Sequence, residues 1–414
     1  MGEYLTRIDA APPAERWPLV RRSMMADPLP FFAELREERP ILVLPELTFV
    51  TRFADCSLIL RRHDDFGVDL YVPKQGDYFM AQDDTPDHFR DKSVMKAVLD
   101  FEQVPEMRAF VGETANTILR GANGSIDAPK ALTRAVPAAL VKKYFGFGSA
   151  DTAKMIEWSY WNQQDAFHNQ PFDADIVSDP DHIVARRKAA NIRLALYLGR
   201  VVLLRTIQAT IRWRKDDIVS RLVRLSRTGA IRFPLKKVLF NVGGLLIGAV
   251  ETTSHTVNNA LDYLLRRPDQ LEAARRAAAG QDPAEFDGFV FEALRFHPAF
   301  PYFFRVCHRP TILAGGTPFA TEIQPGTTVL AATHGAMFDE TAFANPNSFD
   351  PGRTRADEFT FGQGLHECLG YAIGRAMVPE IVRQCLLRPG IRADAPLVYE
   401  RGVPESFPLS WEAA

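Results

Sequence analysis

One short segment concentrates the reactive chemistry. Phe361-Gly362-Gln363-Gly364-Leu365-His366-Glu367-Cys368-Leu369-Gly370 is a glycine-punctuated loop that delivers a cysteine to the start of an apolar helical pattern. Gly364 and Gly370 permit backbone geometry and close approach that a Cβ would obstruct. A helix N-terminus favours the thiolate through its dipole and unpaired N–H groups. A thiolate so placed can ligate iron, and N–H donors aimed at the sulfur tune its donation. Phe361 is expected beside the sulfur, keeping water out. The chain has four cysteines, and Cys56, Cys307 and Cys385 lie far from Cys368 with no CxxC spacing. That pattern fits a reducing compartment and excludes, by spacing, a cysteine-ligated iron–sulfur cluster.

A second group pairs an acid with a hydroxyl, in Gly248-Ala249-Val250-Glu251-Thr252-Thr253. A mid-helix threonine can donate back to a carbonyl and open the helix locally. Glu251 beside it can move protons. Glu292 and Arg295 stand at i, i+3 and can pair on one helix face. His88 and Lys92, at i, i+4, also share a face.

The elements that must position these groups are mostly helical. Ile41–Leu44 and Thr48–Thr51 read as a hairpin around Pro45-Glu46. Helices are expected over 53–62, 88–99, Asp151–Phe167 and Pro180–Trp213. Pro234–Arg267 reads as one apolar-periodic segment, about 50 Å long at a helical rise and stopped by Pro268. Helices near Asp269–Ala279 and Pro283–Phe296 follow. Thr311–Ile323 and Thr327–Leu330 read as strands, Phe343–Phe361 as irregular, and Leu369–Leu387 as a last helix. With 414 residues, no composition break and no repeat, one domain over 1–414 is expected, with 1–27 a lead-in.

The formal net charge of −2 argues against a nucleic-acid partner. The polar N-terminus has no signal-peptide core, and no run of eighteen apolar residues supplies a membrane anchor. A cytoplasmic location is expected.

The pattern Phe-x-x-Gly-x-x-x-Cys-x-Gly resembles the haem-binding signature of the cytochrome P450 family. The likeness covers roughly residues 28–410, strongly from Asn241 to Arg375 and weakly over 100–235. It implies a mainly α, triangular single-domain fold with small β-sheets around a buried haem b, with Cys368 as axial ligand. Glu292-x-x-Arg295 is similar to the family's Glu-x-x-Arg. Phe349-Asp350-Pro351-Gly352-Arg353 is similar to its meander, so the resemblance implies a Glu292–Arg295–Arg353 network behind the cysteine loop. It places Ala249, Glu251 and Thr252 above the haem on the oxygen side, Glu251 and Thr252 managing protons. It implies propionate contacts from His88, Lys92, Arg305 and His366, and close haem contacts from Phe361, Gly364 and Gly370. The order Gly248-Ala249, Lys92 in place of arginine, and Met337 in place of arginine depart from the family pattern.

Pro298–Phe304 and the loop Gly67–Met80 are expected to wall the substrate pocket, through Leu70, Tyr71, Phe79, Val250, Phe300, Tyr302 and Phe303. These side chains suggest an apolar small molecule. The resemblance implies a monooxygenase that takes electrons, originating in NAD(P)H, from a ferredoxin and its reductase; Lys96 and Arg375 are candidate docking contacts. The rival readings are a haem-thiolate peroxygenase or isomerase, and a non-catalytic haem-binding sensor.

Overall fold

Apolar periodicity of 3.6 residues recurs through most of the chain, and the computed structural model accordingly is mainly helical with small sheets. It describes residues 2–83, 85–210, 215–355 and 358–412. The largest apolar core joins the helices Val104–Gly121, Thr152–His168, Pro180–Thr210, Leu235–Ala249, Glu251–Leu265, Pro283–Phe296 and Tyr371–Leu386. The helix expected to reach Trp213 is described to Thr210; Trp213 lies outside the described residues. No helix among the described residues is long and apolar enough to cross a membrane.

The hairpin is Ile41–Val43 paired with Thr48–Val50. It forms one edge of a five-stranded sheet, where Thr48–Val50 runs parallel to Thr328–Ala331. Phe303–Cys307 pairs antiparallel with Thr328–Ala331 on one side and with Phe66–Gly67 on the other. Thr311–Ile323 is a separate ribbon of two short strands, Thr311–Leu313 and Thr321–Ile323. The sheet matters to the site because Phe303–Cys307 carries Phe303 and Arg305 on alternate positions, hence on one face.

Two expectations change. The N-terminal stretch is a packed part of the fold: helices Glu3–Ala10 and Pro13–Ala26 bury Leu5, Ile8, Trp17, Val20 and Met24 in a core shared with the first sheet. The Trp17 indole N–H donates to Asp173 at 3.2 Å. The long segment is two helices, Leu235–Ala249 and Glu251–Leu265, interrupted at Val250. The cause is local: the Thr252 hydroxyl donates to the Gly248 carbonyl, and the Val250 N–H reaches Leu246 only at 3.4 Å.

Candidate active site

The cysteine loop is shaped by two left-handed glycines. Gly362 has φ +70° and Gly364 φ +75°, a region open to glycine at little cost. A Cβ on Gly364 would collide with the Leu60 carbonyl, so the loop lies directly against the helix Phe53–Arg61. Gly364 therefore shapes the loop and does not line the cavity as a haem contact would. The Cys368 N–H donates to the Phe361 carbonyl at 2.9 Å. Lys92 closes the loop from outside, its ammonium donating to the carbonyls of Leu365 and Glu367. Burial pulls this lysine down to about 8.

Cys368 is the one exposed cysteine, and its exposure is to an internal cavity of about 310 Å³. Burial pushes its thiol up, against the Gly370 N–H that points at the sulfur and the charge of Lys92. A thiolate here is therefore favoured by a cation placed in the cavity. The remaining wall is largely apolar, with Leu245, Ala249, Leu294, Phe300, Phe303 and Phe361 among its members. Phe361 packs edge-on against Tyr371 at 5.0 Å.

Two ionisable groups on this wall, Arg305 and His366, have no paired counter-charge among the described residues. Arg305 is buried and makes no ion pair among the described residues; its one hydrogen bond goes to the adjacent Phe304 carbonyl. His366 has both ring nitrogens buried without partners, and burial, then Arg305 and His88, push it well below its ordinary value. A flat apolar ligand with a central metal and acidic substituents matches this set: sulfur for the metal, Arg305 and His366 for the acids. Iron protoporphyrin fits.

The other propionate candidates sit elsewhere. Lys92 is committed to the loop carbonyls. His88 stands behind His366, ring centroids 5.0 Å apart, its Nδ1 held by the Phe79 carbonyl at 2.8 Å. Of the expected pocket residues, Tyr71, Phe300 and Phe303 face the cavity. Leu70, Phe79, Val250 and Tyr302 do not. Tyr302 alternates with Phe303 and packs on Trp17 at 6.0 Å. Leu70 joins the same N-terminal core. Phe79 is buried against Tyr78, and Val250, at the helix break, points into the main core. Tyr78, Gln75, Gln163 and Thr256 line the cavity and carry no sequence motif. A Cβ on Gly244 would collide with the Tyr78 ring.

Thr252 and Thr253 both line the cavity. Glu251 does not: it is 2% exposed and turned outward onto Arg134, whose Nε lies 3.0 Å from it. Arg134 also holds Glu405 at 3.0 Å and the Pro404 carbonyl. Burial pushes Glu251 up to about 7, against the opposing pull of Arg134. The folded state thus retains a proton that the unfolded chain releases above the ordinary value of 4.5. The contribution of this group to stability falls as pH rises from 4.5 to about 7.

Behind the loop, Arg295 donates to both oxygens of Glu292, at 3.0 and 2.7 Å. The same carboxylate accepts from Arg353 Nε at 3.4 Å and from the Asp350 N–H at 3.0 Å. The backbone carbonyls of Met337 and Ser348 accept from Arg295.

This fold and this cavity define a haem-thiolate protein. The family comparison makes that specific: residues 60–388 match the Cytochrome P450 family model, and the chain belongs to the cytochrome P450 family of haem-dependent monooxygenases. It is 26% identical over 428 residues to cytochrome P450 monooxygenase PikC of Streptomyces venezuelae, covering 97% of this chain and 95% of that protein. The erythromycin C-12 hydroxylase of Saccharopolyspora erythraea is 26% identical over 355 residues, 84% of this chain and 83% of that protein. In structure, the open cytochrome P450 Eryk of S. erythraea is similar with a TM-score of 0.79 at 23% identity, covering 94% and 98% of the two chains. At that identity the likeness speaks to fold.

Proposed function

We propose that this chain inserts one oxygen atom of dioxygen into a largely apolar organic molecule, by hydroxylation or epoxidation. The observation that carries the reading is that Cys368 and Thr252 open onto one apolar cavity on whose wall Arg305, buried without an ion pair among the described residues, and His366, with both ring nitrogens unpartnered, suit the acids of a haem. Haem bound through Cys368 supplies the activation of dioxygen. Ala249 and Leu245 hold the substrate close to that centre, and Phe300 and Phe303 shield it from water. Relatives named as an erythromycin C-12 hydroxylase and as steroid C26-monooxygenases support C–H oxidation. Electrons come from a ferredoxin and its NAD(P)H-dependent reductase, docking near exposed Lys96 and near Arg375, which lies over the Tyr371 ring. The direct test is a substrate-library screen for the low-spin to high-spin shift, followed by product analysis with redox partners. Product formed from hydrogen peroxide alone, and none with the partners, would replace this reading by a peroxygenase.

The O–H of Thr252 is spent on the Gly248 carbonyl, so its oxygen presents acceptor lone pairs to the cavity. There it can hold a proton-bearing group in place. Thr252→Ala is therefore expected to bind substrate normally and to oxidise NAD(P)H, while releasing hydrogen peroxide and losing about tenfold or more of its product yield. Thr253→Ala remains much better coupled. Measuring NAD(P)H, peroxide and product together checks both; full coupling in Thr252→Ala would assign proton delivery to another route.

Glu251 supplies protons from the outer side of the break. Turnover of the unaltered enzyme is expected to show an inflection near pH 7, from the Glu251 carboxyl pushed up to about 7. Glu251→Gln slows turnover and removes that inflection. An unchanged pH profile in the variant would free Glu251 from the relay.

A further inference from the structure

The helix Thr152–His168 lies over the cavity and is polar on a face that is buried. Ser159, Asn162, Gln163, Gln164 and Asp165 are all at most 3% exposed. Most of them are accounted for within the protein. The Ser159 hydroxyl lies 3.3 Å from the Ile247 carbonyl, Asn162 donates to Asn191 at 2.7 Å, and Asp165 pairs with Lys74 and Arg187.

Gln163 and Gln164 are different: Gln164 has both carboxamide atoms buried without partners away from the cavity, whereas Gln163 is the one of the two that opens onto it. Gln163 is 2% exposed, lines the cavity, and makes no hydrogen bond among the described residues; its Oε1 is buried without a partner. Its position follows from the helix register. Ser159, Gln163 and Phe167 share one face at i, i+4, i+8. Ser159 anchors that face beside Ile247. Phe167 touches Phe300, ring centroids 5.1 Å apart, and Phe300 in turn touches His255 at 5.8 Å. Gln163, between these two anchors, lines the cavity onto which Thr252 also opens. The cavity wall also includes Leu245, Phe167, Phe300 and Thr256, and the Thr256 hydroxyl is already given to the Thr252 carbonyl at 2.7 Å.

A buried carboxamide without a partner costs stability, and such groups are rare unless something else pairs with them. A purely apolar substrate would leave the cost in place. We propose that Gln163 selects and orients the substrate, which carries a hydroxyl, carbonyl or amide that hydrogen-bonds this carboxamide on an otherwise apolar frame. The carboxamide offers both an acceptor oxygen and N–H donors, so it takes either polarity. This inference rests on the oxygen-inserting function proposed above and narrows its substrate class from apolar to amphipathic. A hydrogen bond at one point also fixes which carbon faces the haem, so Gln163 sets the position oxidised as well as the affinity.

The haem-loaded full chain and its Gln163→Met variant, close in shape but unable to pair, are titrated with matched probes by the spin-state shift. The pairs are cyclopentadecanone against cyclopentadecane, and dodecanol against dodecane. The unaltered protein is expected to bind the oxygenated member about tenfold tighter or more, and Gln163→Met to bring that ratio near one. Equal affinities in the unaltered protein, or a ratio that survives in Gln163→Met, would overturn the proposal. Melting of the ligand-free holoenzyme decides even where no probe binds. Gln163→Met should raise Tm by about 2–4 °C by removing an unpaired buried group; a lowered Tm would mean a structural partner and would equally overturn it. Imidazole binding and the reduced carbon monoxide spectrum serve as the reference. Their loss in the unaltered protein would sink the haem-thiolate function itself, whereas their presence with an unselective Gln163 sinks only this inference.

Discussion

Cys368→His is expected to abolish the red-shifted Soret band of the reduced carbon monoxide complex and to reduce product formation to background. The band reports a thiolate on the iron, and Cys368 carries the only cysteine sulfur that reaches the cavity among the described residues. The other three are buried in other places. The Cys56 thiol donates to the Val50 carbonyl at 3.3 Å, and that of Cys307 to the Arg309 carbonyl at 2.9 Å. Burial pushes Cys385 up to about 12, which keeps it a thiol. Cys56→Ala, Cys307→Ala and Cys385→Ala should therefore keep the band. A histidine at 368 still offers a ligand, so haem content is retained in part and the spectrum separates loss of the thiolate from loss of haem. A thiolate-type band persisting in Cys368→His would show that another cysteine binds the iron.

Glu292→Ala is expected to yield little haem-containing protein. Glu292 and Arg295 have side-chain exposures of 1% and 0%. One carboxylate accepts from Arg295, Arg353 and the Asp350 backbone, so its removal strands a fully buried guanidinium and loosens the meander at once. What remains to Arg295 is the Met337 and Ser348 carbonyls and the faces of Phe296 and Phe338, at 4.5 and 4.3 Å. Breaking a buried pair on one side costs about 3–5 kcal/mol. That is a large share of the roughly 5–15 kcal/mol that holds a domain together. Glu292→Gln keeps one oxygen as an acceptor and should lose less. The ratio of haem absorbance to protein, and Tm, measure both variants. Normal haem loading and melting in Glu292→Ala would show that the wall behind the loop stands without this pair.

Both predictions concern residues visible in the sequence, because each belongs to a pattern set by local spacing. The cysteine loop is one continuous stretch, and Gly362 and Gly364 stand where its backbone turns left-handed, while Gly370 keeps an ordinary φ of −82°. Glu292 and Arg295 meet through helix geometry alone, at i, i+3. The mainly helical fold, the first hairpin and the strand expected at Thr327–Leu330, observed as Thr328–Ala331, were legible for the same reason: period and turn residues are local. The single long helix was not so simple, since apolar periodicity runs unbroken through Val250 while a side-chain hydrogen bond from Thr252 opens it. The N-terminal helices were missed because their polar composition hides an apolar face, with Trp17 at its centre, that only the sheet completes.

By itself, then, the sequence determined the family, through one continuous cysteine loop, and the helices that carry the Glu251-Thr252 and Glu292-Arg295 patterns, all of which rest on residues a few positions apart. The tertiary structure decided which side chains share the cavity. Tyr302 and Phe303 are neighbours in the chain, yet one packs on Trp17 and the other faces the haem site. Glu251 sits next to Thr252 but turns outward to Arg134, more than a hundred residues earlier. Gln163 has no motif at all and acquires its meaning only where its helix packs over the cavity. Direction and burial of a side chain depend on partners far away in sequence, and no local pattern records them.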